Sequence, residues 1–177
     1  NTSFISSIIN KIQLKNFKEI WVPDFKTEPN LSGKLGRLSK KNKLNIKYIG
    51  PLSRLNKTET TTKYKIMVLL SGPEPQRSIL EKKLFRELDY YKESILFVRG
   101  KIEAKQTCEK KNQFTIYNYM HSKALEEAIN SSEIIISRSG YTTVMDVAKL
   151  GKSAFFIPTP GQFEQEYLAE RLSTLQL

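Results

Sequence analysis

Two short stretches concentrate the residues able to hold an anion. Ser137-Arg138-Ser139-Gly140-Tyr141-Thr142-Thr143 follows an apolar run, Ile134-Ile135-Ile136, and leads into a helix-like pattern that ends near Leu150-Gly151. A glycine flanked by hydroxyls at a strand-to-helix passage suits a diphosphate. Gly140 lets the backbone approach the ligand closely, the first helical N–H groups point at it, and the helix dipole favours an anion by roughly 0.3–1 kcal/mol. Ser139, Thr142 and Thr143 add hydroxyl donors, while Arg138 either adds charge or packs beneath the loop. Asp146 lies one turn into the helix. Helical side chains lean toward the N-terminus, so its carboxylate can face the same crevice, where a carboxylate suits ribose hydroxyls. The second stretch, Pro158-Thr159-Pro160-Gly161-Gln162-Phe163-Glu164-Gln165-Glu166, also joins a strand to a helix. It gathers Gln162, Gln165 and Glu166 where sugar hydroxyls can be held by paired hydrogen bonds.

Both stretches also have a purely local reading. Thr143-x-x-Asp146 is a good capping box, and Thr159-x-x-Gln162 is another. The pattern alone leaves ligand and cap equally open. The first loop lacks the Gly-Lys-Ser/Thr of a Walker loop and is not Gly-x-Gly-x-x-Gly. No Asp-x-Asp and no His/Cys cluster occurs, so no metal is implied.

The elements that must position these loops are regular from Tyr64 onward. Strands are expected at Lys65–Leu70, Ile95–Val98, Phe114–Tyr117, Glu133–Ile136 and Ala154–Ile157. Helices are expected at Gln76–Leu88, with Ile79, Leu80, Leu84 and Leu88 on one face, and at His121–Asn130, Thr142–Leu150 and Phe163–Leu175. Strand and helix alternate, which implies an α/β fold with a parallel, doubly wound sheet. Residues 101–112 are too polar to read as a helix and stand as a polar connection. In such a sheet ligands bind outside the carboxyl ends of the strands. Ser71-Gly72-Pro73, Asn118 and His121, Ser137–Gly140 and Pro158–Gly161 all fall on that rim, and the opposite rim carries ordinary turns. His121 reads as structural.

Before this region the chain is less regular. Residues 1–16 carry Phe4, Ile5, Ile8, Ile9 and Ile12 at the spacing of an amphipathic helix. Short strands are expected at Ile20–Val22 and Ile46–Ile49. Residues 23–47 read as a lysine-rich surface loop with little core of its own, and 55–63 as a linker, placing a domain boundary between 62 and 63. Charge is uneven: residues 1–62 hold 12 Lys/Arg against 4 Asp/Glu, a net of +8, and 63–177 hold 17 against 14, a net of +3. That basic first third is a candidate for peripheral contact with anionic lipid. It lacks interleaved stacking aromatics, which argues against nucleic acid. Hydrophobic content of 39% with 27% charge fits a globular domain, and no apolar run approaches ~18 residues, so no transmembrane helix is expected. One cysteine, Cys108, excludes an intrachain disulfide. The sequence begins at Asn1 with no secretory pattern, so it reads as a fragment with a cytoplasmic location.

Ile136-Ser137-Arg138-Ser139-Gly140-Tyr141-Thr142-Thr143-Val144-Met145-Asp146 resembles the glycosyltransferase family 28 C-terminal domain, a GT-B, Rossmann-like donor domain. The family has there an apolar strand, Ser/Cys-Arg-Ser/Ala-Gly, a Thr, and an acid three residues later. Ala148–Pro158 is similar to its Ala-x-x-Gly-x-Pro-x-x-x-x-Pro, with Ser153 for the first proline. Phe163–Ala169 covers its Asp-x-Gln-x-x-x-Ala, and Tyr48–Arg54 resembles Gly-Asn-Pro-Val-Arg. The likeness is strong over about residues 113–171 and weaker over 46–100.

The resemblance implies a UDP-sugar donor and neither metal nor further cofactor. Asp146 would hold the ribose, and Ser139-Gly140 with Thr142 and Thr143 the diphosphate. Arg54 would approach phosphate, and Gly72 would sit in an altered first loop, Ser71-Gly72-Pro73-Glu74-Pro75 replacing Gly-Gly-Ser-x-Gly. The backbone near Tyr117 and Asn118 would read the uracil edge. Gln165 matches the first glutamine of a pair that holds the sugar, and Glu166 replaces the second, with Gln162 nearby. Residues 1–62 would be the end of an acceptor domain plus linker, and 63–177 the donor domain. The function implied is transfer of a sugar, such as an N-acetylhexosamine, to an acceptor hydroxyl that is lipid-linked in some relatives. The base would come from the acceptor domain, leaving this piece inactive alone. The alternatives are a GT-B UDP-sugar 2-epimerase and a non-catalytic nucleotide-sugar-binding subunit.

Overall fold

The structure, a computed structural model, describes residues 17–37 and 44–175. The amphipathic pattern of residues 1–16 lies outside the described residues. Two compact units divide the chain, the first ending at Leu52 and the second beginning at Ser53.

In the first unit β1 (Ile20–Val22) pairs in parallel with β2 (Ile46–Tyr48). The stretch expected to be a surface loop has a polar core of its own. Asp24, Asn30, Leu31 and Ser32 are buried. The Asp24 carboxylate accepts the Phe25 amide at 2.8 Å, the Leu31 amide at 3.0 Å, the Ser32 amide at 2.9 Å and the Ser32 hydroxyl. Burial works to raise its pKa, but these hydrogen bonds to the charged form outweigh it and hold the group below its ordinary value. A loop of few apolar residues is thus organised around one acid.

The second unit is a six-stranded sheet in the order β5-β6-β4-β3-β7-β8. Its strands are β3 (Tyr64–Leu69), β4 (Ile95–Val98), β5 (Cys108–Lys111), β6 (Phe114–Tyr117), β7 (Ser132–Ser137) and β8 (Ser153–Phe156). Every neighbouring pair is parallel except β5–β6. The helices are α1 (Gln76–Leu88), α2 (Ser122–Asn130), α3 (Tyr141–Leu150) and α4 (Phe163–Thr174). In chain order the parallel strands run 3-2-1-4-5 across the sheet, a doubly wound, Rossmann-like arrangement. The central strands are covered on both faces and therefore read as continuous apolar runs. Met67, Leu96, Val98 and Ile135 face Ala128 and Ile129 of α2 and Val147 and Leu150 of α3. Ile66, Val68, Ile95 and Phe97 face Leu80 and Leu84 of α1.

Three local expectations are corrected. The stretch expected as a plain polar connection, residues 101–112, includes a strand: Cys108-Glu109-Lys110-Lys111 lies exposed at the sheet edge, antiparallel to β6. Its lysines suit an edge, since charge there discourages further pairing. The buried stripe of α1 is Arg77, Leu80, Glu81 and Leu84, while Ile79 is 56% exposed. Residues 55–63, read as a linker, belong to the second unit. Leu55 is 1% exposed among Val147, Leu150 and Ile129. Asn56 N–H donates to Glu126 at 2.7 Å, and Asn130 of α2 holds the Asn56 carbonyl at 2.9 Å and the Thr58 amide at 3.1 Å.

Candidate binding site at the carboxyl rim

The chain leaves β3 for one side of the sheet through α1 and reaches the other side through α2 and β7, so the strand order reverses between β3 and β7. A crevice opens where successive connections diverge, outside the carboxyl ends of those two strands. Ser71–Pro75 and Ser137–Gly140 flank it, and the β8–α4 loop lies beside the second, because β8 pairs with β7 through Ser137↔Phe156.

α3 begins at Tyr141 with Gly140 as its N-cap, at φ −68° and ψ 135°. No side chain caps it. The expected Thr143–Asp146 capping box does not form, since Thr143 is already the third helical residue. The first amides of a helix have no partner within it, so an uncapped start leaves donors for a ligand. Gly140 adds a second observation. Its φ suits any residue, and a Cβ built on it meets nothing within 4 Å. Neither backbone geometry nor packing requires glycine there, and open space lies where a side chain would project.

The polar side chains near this opening divide into those already engaged and those free. Ser139 is fully buried and donates its hydroxyl to the Gln165 carbonyl at 2.7 Å, tying the β7–α3 loop to α4. Thr142, Thr143 and Asp146 make no side-chain hydrogen bond or ion pair with any described residue. Asp146 lies four residues after Thr142 and three after Thr143, so it neighbours each of them on the surface of α3. In the β8–α4 loop, Gln165 accepts the Thr159 amide at 2.9 Å and donates to Gln162. Glu166 accepts the Gly161 amide at 2.8 Å, and Gly161 sits at φ +79°, a conformation that needs glycine. Gln165 therefore shapes this loop with both ends of its amide, whereas Gln162 and Glu166 keep one terminal atom each.

Beneath both loops lies Arg138, 4% exposed. Its guanidinium donates to the carbonyls of Ile157 at 3.3 Å, Pro158 at 2.7 Å and Gln76 at 3.0 Å, joining the ends of β7 and β8 to the start of α1. Of the two roles open to it in the sequence, packing beneath the loop is the one observed. Burial lowers its pKa. Its Nε and the buried Thr159 hydroxyl have no hydrogen-bond partner.

The other expected residues stand differently. Gly72, at φ +105°, is exposed in the β3–α1 loop with open space around it. That loop is held by a network absent from the sequence reading: Arg77 pairs with Glu74 and, at 2.5 Å, with Glu81, which also binds Arg99 at the end of β4 at 2.5 Å. Burial works to raise the Glu81 pKa, and the two guanidinium groups more than reverse it, holding the carboxyl below its usual range. The signal available was Arg77 and Glu81 at i, i+4 on an otherwise apolar stripe. Asn118 is buried and spends its amide on the 101–107 segment: Oδ1 accepts the Thr107 amide and Nδ2 donates to Glu103 and to the Lys105 carbonyl. The Tyr117 and Asn118 carbonyls accept the Arg99 and Lys101 amides at 2.8 and 2.7 Å, extending the sheet. The Tyr117 hydroxyl, hydrogen-bonded to Cys108 across the strand pair and partly buried, is pushed up to about 12. His121 is the exposed N-cap of α2, edge-on to Tyr119. Arg54 is exposed on the segment whose next residues bind the last turns of α2, and Ser53 receives Lys149 from the last turn of α3 at 3.5 Å.

Comparison with known proteins matches residues 76–176, more than half of the 177, to the glycosyltransferase family 28 C-terminal domain. A curated relative is the UDP-N-acetylglucosamine--N-acetylmuramyl-(pentapeptide) pyrophosphoryl-undecaprenol N-acetylglucosamine transferase of Buchnera aphidicola subsp. Schizaphis graminum. It is 31% identical over 108 residues, which cover 58% of this chain and 30% of the relative.

Proposed function

Because the chain belongs to the glycosyltransferase family 28 C-terminal domain family, we propose that residues 53–177 bind the nucleotide-sugar donor of a glycosyltransferase, with UDP as the leaving group. The uncapped α3 N-terminus and Gly140 take the diphosphate, Thr142 and Thr143 donate to its oxygens, and Asp146 accepts from the ribose hydroxyls. The chemistry asked of this half is electrostatic. As the sugar–phosphate bond breaks, negative charge gathers on the departing UDP, and fixed amides and a helix dipole stabilise it without reorganising. Another domain presents the acceptor hydroxyl and its base. The relative from Buchnera, named as an N-acetylglucosamine transferase acting on a pyrophosphoryl-undecaprenol, supports N-acetylglucosamine as the sugar and a lipid-linked acceptor.

The observation that carries the reading is the unspent set Thr142, Thr143 and Asp146 on an uncapped helix, beside a glycine that the fold does not need. Titration calorimetry with the full-length protein tests it. UDP and UDP-N-acetylglucosamine are expected to bind, and Asp146→Asn to weaken UDP about tenfold, the loss of one charge-assisted hydrogen bond. No heat from either nucleotide would sink the reading. Incubating UDP-N-acetylglucosamine without acceptor leaves it intact if the protein is a transferase; formation of its 2-epimer would replace that activity with the epimerase.

Membrane contact has its own supporting observation in the first unit. Trp21 is 63% exposed on β1, and Lys47, its register partner on β2, lies with Nζ 5.8 Å from the ring centre. Indole beside ammonium suits the headgroup level of an anionic bilayer. No helix among the described residues is long and apolar enough to cross a membrane. Trp21 is the only tryptophan in the sequence, so its emission is a direct probe. A blue shift with phosphatidylglycerol vesicles and none with phosphatidylcholine is expected; identical spectra would remove the contact.

A further inference from the structure

The fold treats its two buried arginines differently. Arg77, 3% exposed, is paired with the carboxylates of Glu74 and Glu81. Arg138, just as buried, has three backbone carbonyls and no carboxylate. Carbonyl oxygens satisfy its terminal N–H groups, but they supply dipoles and no countercharge, and its Nε is left without an acceptor. An uncompensated buried charge is costly, and proteins ordinarily pair it. Its setting makes the imbalance sharper. Two residues on, Gly140 starts an uncapped helix whose N-terminus is itself the positive end of a dipole. Glu133, the acid nearest in sequence, is paired with Lys65, and Asp146, the next acid along the chain, makes no ion pair among the described residues. Beside Arg138, past Pro158, the Thr159 hydroxyl is a second buried donor without a partner. Positive features are therefore gathered behind an opening and no acid of the described chain answers them.

We propose that Arg138 is a positioning residue for an anionic ligand: sealed beneath the β7–α3 and β8–α4 loops, its guanidinium is the fixed positive charge that a diphosphate at the α3 N-terminus neutralises. This rests on the donor reading above. Arg138 does not touch the ligand. It holds the two loop ends in register through the Ile157 and Pro158 carbonyls, and it acts on the diphosphate through the low-dielectric interior, where charge is poorly screened. Because it is already fixed and desolvated, the interaction costs no side-chain ordering when the ligand arrives. Uridine, which carries no phosphate, is indifferent to that charge.

The test compares UDP with uridine on the full-length protein by calorimetry, for wild type, Arg138→Gln and Arg138→Lys. Arg138→Gln is expected to weaken UDP about tenfold or more, the order for one charge at an effective dielectric near 20, and uridine less than about twofold. Arg138→Lys keeps the charge without the planar fork and is expected to recover most of the UDP preference, whatever it loses in Tm. An unchanged UDP-to-uridine ratio in folded Arg138→Gln overturns the proposal. So does a folded Arg138→Lys protein that loses the UDP preference of wild type, and that measurement against wild type decides alone if Arg138→Gln does not fold. If wild type binds neither UDP nor uridine, the donor reading fails separately. Inorganic pyrophosphate then decides the charge: it is expected to raise the Tm of wild type and of Arg138→Lys, and no rise would overturn it.

Discussion

Gly140→Ala separates ligand binding from folding at the most informative position in the molecule. The backbone there is extended, at φ −68°, and a Cβ meets nothing within 4 Å. An alanine pays no strain and no clash. It gains from a stiffer unfolded chain, by about 0.4–1 kcal/mol, and loses some tenths of a kcal/mol because alanine is a poorer N-cap than glycine. Stability should therefore stay within about 0.5 kcal/mol of wild type. Binding should not. The methyl group occupies the space in which a diphosphate would meet the first amides of α3. Displacing one charge-assisted hydrogen bond costs about 1.5–3 kcal/mol, so UDP affinity should fall by roughly ten- to a hundredfold. Gly100→Ala is the opposite control. Gly100 lies at φ +69°, and a Cβ there would stand 2.2 Å from the Leu70 carbonyl oxygen, so that variant should lose stability by more than about 2 kcal/mol. Urea unfolding and UDP calorimetry on the full-length protein measure both quantities. A Gly140→Ala protein that binds UDP like wild type would refute the reasoning, because the open space would then not be the ligand's. One that unfolds readily would show instead that the fold itself needs the glycine.

Leu55→Ala should destabilise the second unit by about 2–5 kcal/mol in urea unfolding, since Leu55 is buried in the cluster under α2 and α3; a change under about 0.5 kcal/mol would return residues 55–63 to the role of a linker. Thr159→Val should be neutral or stabilise by about 1 kcal/mol in thermal or urea unfolding, because it removes a buried hydroxyl that has no partner while keeping its shape. Asp24 and Glu81 have folded pKa values below their ordinary ones, so the folded protein binds fewer protons than the unfolded chain. Their contribution is fully present above pH ~4–5 and is lost as pH falls through the lowered values. Chemical unfolding between pH 6 and 3 should show stability falling with acid, and Glu81→Gln should flatten that slope in the second unit.

Much of the fold was legible because it depends on local pattern. The buried parallel strands β3 and β4 declare themselves as apolar runs, Ile66-Met67-Val68 and Ile95-Leu96-Phe97-Val98. Strand–helix alternation then implies a doubly wound sheet, and the rim that carries Gly72, Gly140 and Gly161 follows from chain direction alone. What escaped depends on distant partners. Cys108–Lys111 has no strand pattern and becomes a strand by pairing with β6. Leu55 sits in a polar stretch and becomes core because α2 and α3 leave a place for it. The turn from residue 23 onward looks like solvent-facing loop until Asp24 collects four donors.

At the site itself, the sequence alone determined which residue types meet: glycine, hydroxyls, an acid and an arginine at a strand-to-helix passage, in a spacing shared with a known family. It could not divide them by role. A Ser, a Thr and a Gln each suit a ligand or a neighbouring backbone group equally well, and the choice is made by what lies within 3 Å. Tertiary structure assigned Ser139 and Gln165 to holding loops together, Asn118 to the 101–107 segment, and Arg138 to a buried place under both loops. It left Thr142, Thr143 and Asp146 uncommitted on an uncapped helix. The physical reason is that hydrogen-bond partners are fixed by three-dimensional proximity, and only the strand order that sets β7 between β3 and β8 brings these loops together.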